Sequence, residues 1–199
     1  MRILVGCEEN GKTRDAFAAF GHDAWSCDLL PTRRPGNHLQ MDIFRALIKH
    51  GHWDVVILHP DCTNLTVAGN RWYGEGTAGY SYRIAAMEWT AMLWNVAKMI
   101  ARVGVALENP IGVLSKTPMG KPSQYIHPWQ YGHGETKKTC IWLHNLPPLV
   151  PTKIVDGREQ RIWKMPPSED RKRMRSETFD GWAEAMAEQW GRYAEHMAA

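Results

Sequence analysis

Trp53-Asp54-Val55-Val56-Ile57-Leu58-His59, followed at once by Pro60-Asp61-Cys62, is the stretch on which the fold turns. The run is too short for a core helix, and apolar and β-branched enough for a strand buried on both faces. Pro60 and Asp61 then signal a turn, which presents Cys62. Upstream, Arg2-Ile-Leu-Val-Gly6 is a second buried strand ending in a glycine turn. Lys12 to Phe20 reads as a helix closed by Gly21, and Asp23 to Cys27 as a further strand with Asp28 at its end. Pro31 to Asn37 is a loop, and Asp42 is placed to cap a helix running to about His50.

Downstream, Gly69 to Ser81 is rich in Gly, Tyr, Trp and Arg and has no periodicity. Arg83 to Arg102 is a long helix on which Trp89, Leu93, Val96 and Ile100 recur at helical spacing. Val103 to Leu107 is the next strand and leads into Glu108-Asn109-Pro110, and Thr139 to Leu143 is a later one. Prolines 147, 148, 151, 166 and 167 mark a mostly irregular stretch before a closing helix striped with Trp182, Met186, Trp190, Tyr193 and Met197. Strand and helix alternate from the start, which predicts an α/β fold with right-handed crossovers and a mostly parallel sheet covered on both faces. Ligands of such sheets bind beyond the carboxyl ends of the strands. The turn after the first strand, Asp28, Asp42, Cys62 and Glu108 should therefore gather in one place.

A chain of 199 residues with 44% hydrophobic content supports one globular domain. No apolar run is long enough to cross a bilayer, and the amino-terminal stretch turns acidic too soon for a signal peptide. Cys7, Cys27, Cys62 and Cys140 lie far apart and form no CxxC pair, so neither a zinc site nor a disulfide framework is expected, and free thiols fit a reducing cytoplasm. The net charge of +3 permits a polyanionic partner without demanding one. Arg158, Arg161, Lys164, Arg171, Lys172, Arg173 and Arg175 crowd one late segment, suited either to tracking a phosphate backbone or to a solvated loop.

The turn Gly6-Cys7-Glu8-Glu9-Asn10-Gly11 stands where a nucleotide-like ligand is usually cradled, but it is not GxGxxG, and its two glutamates would repel a pyrophosphate. That argues against NAD or ATP and suits S-adenosylmethionine, which has no phosphate and carries a sulfonium cation. Asp28 is placed to accept from a ribose diol, or else is a turn residue; Asp42 could meet an adenine amino group, or else only caps its helix. A thiol at Cys62 and a carboxylic acid at Glu108, at the same end of one sheet, suit attack on C6 of a cytosine ring with proton delivery to N3. Partial burial of Glu108 is expected to raise its pKa and keep it protonated. Asp61 beside Cys62 opposes thiolate formation unless a cation such as Arg71 or Lys137 offsets it. Asn109 would orient Glu108 or shape the turn.

At these residues the chain resembles the DNA cytosine-5 methyltransferases, and especially short phage-type members of that family. Pro60-Asp61-Cys62-Thr-Asn-Leu65-Thr66-Val-Ala-Gly69 is similar to the family's catalytic segment, with the proline displaced by one position. Glu108-Asn109-Pro110 stands for its Glu-Asn-Val, Met41-Asp42-Ile43 for its adenine-binding element without the glycine, and Lys137-Lys138-Thr139-Cys140-Ile141 weakly for its arginine-rich strand. The resemblance implies a Rossmann-like S-adenosylmethionine-dependent methyltransferase fold over residues 1–199, with 115–175 as a reduced substrate-recognition region. It implies catalytic Cys62, Glu108 and Asn109. The cofactor would meet Gly6, Cys7, Glu8, Gly11, Asp28, Leu29, Asp42, Ile43 and Pro60. The substrate would meet Thr66, Arg71, Trp72, Lys137 and Lys138, with Gly69 to Ser81 as a closing loop or an ordinary packed aromatic segment. DNA is the implied partner, with no metal and no membrane, in the cytoplasm (a host's, if phage-encoded); the oligomeric state is left open. The alternatives are the same chemistry on a free cytosine nucleotide, and a non-catalytic methyltransferase-like DNA-binding protein.

Overall fold

The computed structural model describes residues 1–165 and 171–198, without the side chains of 162, 163 and 171–173. Seven strands form one sheet: β1 (Arg2–Gly6), β2 (Asp23–Asp28), β3 (His38–Gln40), β4 (Trp53–Leu58), β5 (Ala101–Pro110), β6 (Gln124–Ile126) and β7 (Thr139–His144). Their order is β3-β2-β1-β4-β5-β7-β6. β1 to β5 are mutually parallel, whereas β7 runs antiparallel to both β5 and β6. The expected α/β architecture is therefore present, with one reversed strand that the sequence pattern did not reveal.

β4 lies in the middle and is buried along its whole length. Alternation sends Val56 and Leu58 into one core with Leu47, Leu93, Trp94 and Ala97, and Val55 and Ile57 into the other with Phe17, Trp182 and Trp190. The first core is covered by α2 (Ile43–Lys49) and α4 (Tyr80–Ile100), the second by α1 (Lys12–Ala19) and α7 (Asp180–Ala198). Asp54, the one acid within β4, is satisfied by the backbone N–H of Arg2 at 2.7 Å and by Arg102 at 3.7 Å.

Several boundaries differ from the sequence expectation. β3 and β6 are three-residue edge strands, too short to carry a period. β5 extends to Pro110 because β7 pairs with its last residues, Glu108 opposite Ile141 and Pro110 opposite Thr139. The Gly69 to Ser81 stretch is not structureless: a 3-10 turn at Val67–Gly69 passes into the short helix α3 (Asn70–Tyr73), and α4 begins at Tyr80. Two further short helices, α5 (Arg161–Lys164) and α6 (Arg171–Ser176), interrupt the proline-marked region.

Candidate active site

A cleft of ≈ 1300 Å³ opens at the carboxyl ends of β1, β2, β4 and β5. Cys7, Glu8, Asp28, Leu29, Asp42, Ile43 and Pro60 line it, as do Cys62, Glu108 and Asn109, and Thr66, Trp72, Lys137 and Lys138. Gly6, Gly11 and Arg71 do not line it. A Cβ on Gly6 would meet Ile43 Cδ1 at 2.5 Å and Leu58 Cδ2 at 2.9 Å, so Gly6 is needed for packing under the turn. Gly11 has φ +72 and abuts the Arg14 guanidinium, so it shapes the entry to α1. Arg71 lies over the Trp72 ring at 5.1 Å.

The turn after β1 has an unusual internal balance. Glu8 is 1% exposed, and its two carboxylate oxygens accept from the backbone N–H groups of Thr13 (2.7 Å) and Arg14 (3.2 Å) in the first turn of α1. The end of α1 that would otherwise attract a ligand's anion is thus occupied by a protein carboxylate. Glu9 pairs with Arg33 at 3.2 Å, and Arg33 reaches Glu177 at 2.9 Å across the cleft rim. Asp28 Oδ1 accepts from Leu30 N at 2.9 Å. Asp42 Oδ1 accepts from Phe44 N and Arg45 N and so caps α2. Cys7, held at φ 61, is pushed far up in pKa by burial, with Asp28, Cys27, Asp42 and Asp61 adding to the effect.

The loops that carry the thiol and the acid are tied to each other. Asn109, 1% exposed, donates from Nδ2 to the Pro60 carbonyl at 2.9 Å. Farther along, Val67 N donates to Ile111 O at 3.0 Å and Val113 N to Leu65 O at 2.9 Å, while Thr66 Oγ1 donates to Ile111 O at 3.3 Å. Gly112 permits this approach, since a Cβ there would stand 2.1 Å from Leu65 O. The Cys62 carbonyl accepts from Leu65 N and Thr66 N at 3.0 Å, so the cysteine opens a tight turn. Asp61 Oδ1 accepts from Thr63 N and Thr63 Oγ1 within that turn. From the far side, the buried Arg83 at the start of α4 donates to Asn64 O (2.8 Å), Thr66 O (3.1 Å) and Asn70 Oδ1 (2.8 Å).

Cys62 is raised in pKa by burial first, then by Glu108 and Asp61, with Lys137 partly opposing them. Lys137, one of the two cations considered for this role, acts on the thiol. The expectation for Glu108 is corrected. Burial does push its carboxyl upward, but the hydrogen bond from His59 and the Lys137 ammonium outweigh it, and the net pKa lies below the ordinary value. His59 was not recognised from sequence. It follows β4 just as Glu108 follows the paired Leu107, which places its Nδ1 3.2 Å from Glu108 Oε2. Its other ring nitrogen lies 3.4 Å from Thr13 Oγ1. Arg83 was also missed as part of the site. The sequence marked it only as the start of the long helix.

The basic late segment is dispersed among those residues that are described. Arg161 pairs with Glu135 at 2.7 Å, Arg158 lies 4.0 Å from the Trp129 ring centroid, and Arg175 reaches the cleft wall. The side chains of Arg171, Lys172 and Arg173 lie outside the described residues. Among the described residues no helix is long and apolar enough to cross a membrane, and no group of three or more metal-ligating side chains occurs.

The sheet order, five parallel strands followed by the antiparallel β7, is a Rossmann-like α/β arrangement. No family model and no curated protein matches the chain. Among solved structures, an E. coli prophage-encoded protein assigned as a DNA modification methyltransferase superposes with a TM-score of 0.50 at 10% identity. The match covers 78% of this chain and 52% of that protein, so the chain spans about half the length of its structural neighbour. At this identity the likeness establishes the fold.

Proposed function

We propose that this chain is an S-adenosylmethionine-dependent methyltransferase acting on C5 of cytosine in DNA through a covalent Cys62 adduct. The observation that carries the reading is the union of Cys62 and Glu108 in one cleft, their loops tied by the bonds of Asn109 to Pro60 and of Leu65–Val67 to Ile111–Val113. The cofactor reading rests on the neighbouring half of the cleft. Glu8 closes the end of α1 to phosphate, Asp28 and Asp42 offer acceptors, and Leu29, Met41, Ile43, Pro60 and Trp89 offer apolar surface. Those residues suit an adenosyl group without phosphate, and the cofactor supplies an electrophilic methyl group.

Cys62 sulfur bonds to C6 of the base and gives up its proton. Glu108, resting as a carboxylate, relays one proton to N3, so the ring takes the electron pair without a net negative charge. C5, made nucleophilic, takes the methyl; the C5 proton then leaves to solvent as the S–C6 bond breaks and N3 returns its proton to Glu108. Lys137 favours both the thiolate and the Glu108 carboxylate. A base in duplex DNA must leave the stack to reach this thiol, and Trp72, 63% exposed on α3 at the cleft edge, is available to stack in its place. Residues 115–175, with Lys138 at the rim, would supply the remaining contacts to DNA.

The test is incubation with mixed-sequence DNA and labelled cofactor, followed by base-resolution mapping of 5-methylcytosine and by trapping on DNA that carries 5-fluorocytosine. A trapped adduct that survives denaturation, absent in Cys62→Ala, supports the reading. Methyl transfer to dCMP but not to DNA would move the substrate to a free nucleotide. Cofactor binding with no transfer to any cytosine would make the chain a binding protein.

A further inference from the structure

The acid that this chemistry requires is not held by Glu108 alone. Glu108 Oε1 is buried and has no hydrogen-bond partner among the described residues, while Oε2 faces His59 Nδ1 at 3.2 Å. The His59 ring lines the same cleft, is 10% exposed, and meets the fully buried Thr13 through its second nitrogen at 3.4 Å. Thr13 is fixed in turn, because its backbone N–H donates to Glu8 at 2.7 Å. Glu8, Thr13, His59 and Glu108 thus form a continuous polar line from the first turn of α1, across the end of β4, to the end of β5.

We infer that His59 is a positioning residue for the acid. The Thr13 hydroxyl donates to Nε2, which fixes the tautomer that carries its proton on Nδ1. Nδ1–H then donates to Glu108 Oε2, and the opposite oxygen, Oε1, buried and without a protein partner among the described residues, is the one left to carry the proton. This inference rests on the cytosine-C5 reading and deepens it. In that frame the thiol and the carboxylate together hold one exchangeable proton. It leaves sulfur as the S–C6 bond forms and reaches N3 through Oε1, while the proton on His59 Nδ1 does not transfer. His59 prevents Glu108 from rotating and from taking up a second proton in the resting enzyme. A second proton would leave a neutral acid beside a neutral thiol and stall attack.

Among the described residues, the charged and titratable groups facing Glu108 are few. His59 and Cys62 come from the β4 side, Lys137 and Cys140 from the β7 side. Lys137 also lowers Glu108, so loss of His59 removes only part of what opposes burial. The acid limb of kcat/KM should report Glu108, because below its pKa the site carries one proton too many.

The experiment compares the whole chain with His59→Ala and His59→Asn. Asparagine places an N–H donor near the position of Nδ1, and alanine removes it. His59→Ala should lower kcat by about 10- to 100-fold, the scale of a misplaced reacting group, with KM for DNA and affinity for the cofactor unchanged. Its acid limb should move to higher pH, because burial then acts on Glu108 less opposed. His59→Asn should recover most of the rate and return the limb toward that of the wild type. Thr13→Val, which cannot fix the tautomer, should reproduce part of the alanine effect. An equal loss at every pH in His59→Ala, with no recovery in His59→Asn, would make His59 a packing residue and overturn the assignment. So would an unchanged rate and limb in His59→Ala while the wild type forms 5-methylcytosine. A wild type that neither methylates nor is trapped by 5-fluorocytosine DNA would remove the underlying reading, and this inference with it.

Discussion

Replacing Arg83 with Met isolates what holds the cysteine loop in place. The side chain keeps its length and apolar stem but loses the three donors to Asn64 O, Thr66 O and Asn70 Oδ1. None of those acceptors is a carboxylate, so the guanidinium is buried on neutral partners. Hydrogen bonds from a charged donor contribute about 1.5 kcal/mol or more each, or roughly 4.5 kcal/mol for three. Holding the charge out of water offsets about half of that, leaving roughly 2 kcal/mol for the order of the loop. At 1.4 kcal/mol per tenfold, that is a change of about 30-fold in local opening. Native-state hydrogen exchange reads it directly. The amides of Leu65, Thr66, Val67 and Gly69, all bonded within or beside the loop, should exchange about 30-fold faster in Arg83→Met. Amides of β4 such as Val55 and Val56 should be unaffected. Arg83→Lys, which keeps the charge without the fork, should fall between. Equal acceleration of loop and β4 amides would mean that Arg83 supports the whole fold, and an unchanged loop would mean that the ties to Ile111 and Val113 suffice. Either result refutes the reasoning.

Three further outcomes follow from the site and its surroundings. Cys62→Ala should abolish transfer and the 5-fluorocytosine adduct while leaving cofactor affinity within a few-fold, as calorimetry would show; methylation of C5 at an undiminished rate would exclude the thiol. Asp28→Ala should weaken the cofactor by about 1.5–3 kcal/mol, the range for a hydrogen bond to a charged partner, and an unchanged titration would reduce Asp28 to the turn residue that its bond to Leu30 N already makes it. His22, buried under Gly191, is lowered from its ordinary value of 6.5 by burial and the amino terminus, with Glu195 partly opposing. The unfolded chain therefore takes up the proton first, so stability is full above about 6.5 and declines as pH falls toward the folded value. Urea unfolding of His22→Gln should show a shallower decline, with a remaining part from His127, which is lowered in the same way; an unchanged slope would exonerate His22.

The sheet was legible where strands are buried on both faces, because Arg2–Gly6 and Trp53–Leu58 are mostly apolar, with Arg2 and Asp54 the exceptions, and are punctuated by turn residues. The meeting of Cys62 with Glu108 followed from that, since both stand at carboxyl ends of strands expected to be parallel. The reversal of β7 was not legible. Side-chain alternation is the same whichever way a strand runs. His59 and Arg83 escaped for a related reason. Their partners are remote in sequence, Glu108 and Thr13 for one and a run of loop carbonyls for the other, and backbone carbonyls leave no trace in side-chain pattern. The pKa of Glu108 was misjudged on the same account, because burial could be inferred but the histidine beside it could not.

The reversed strand has a consequence for how such a molecule can change size. Because β7 runs against β5, the tip that joins β6 to β7 falls on the rim beside Pro110, level with the thiol rather than at the opposite pole of the sheet. Residues 127–138 form that tip, and they lean on residues 153–159 through bridges at Tyr131 and Glu135. A hairpin tip can lengthen at little thermodynamic cost, about 0.6 kcal/mol for each doubling of a flexible loop, while the strands below keep their register. The extent of this rim is therefore adjustable without moving the strands that carry Cys62 and Glu108.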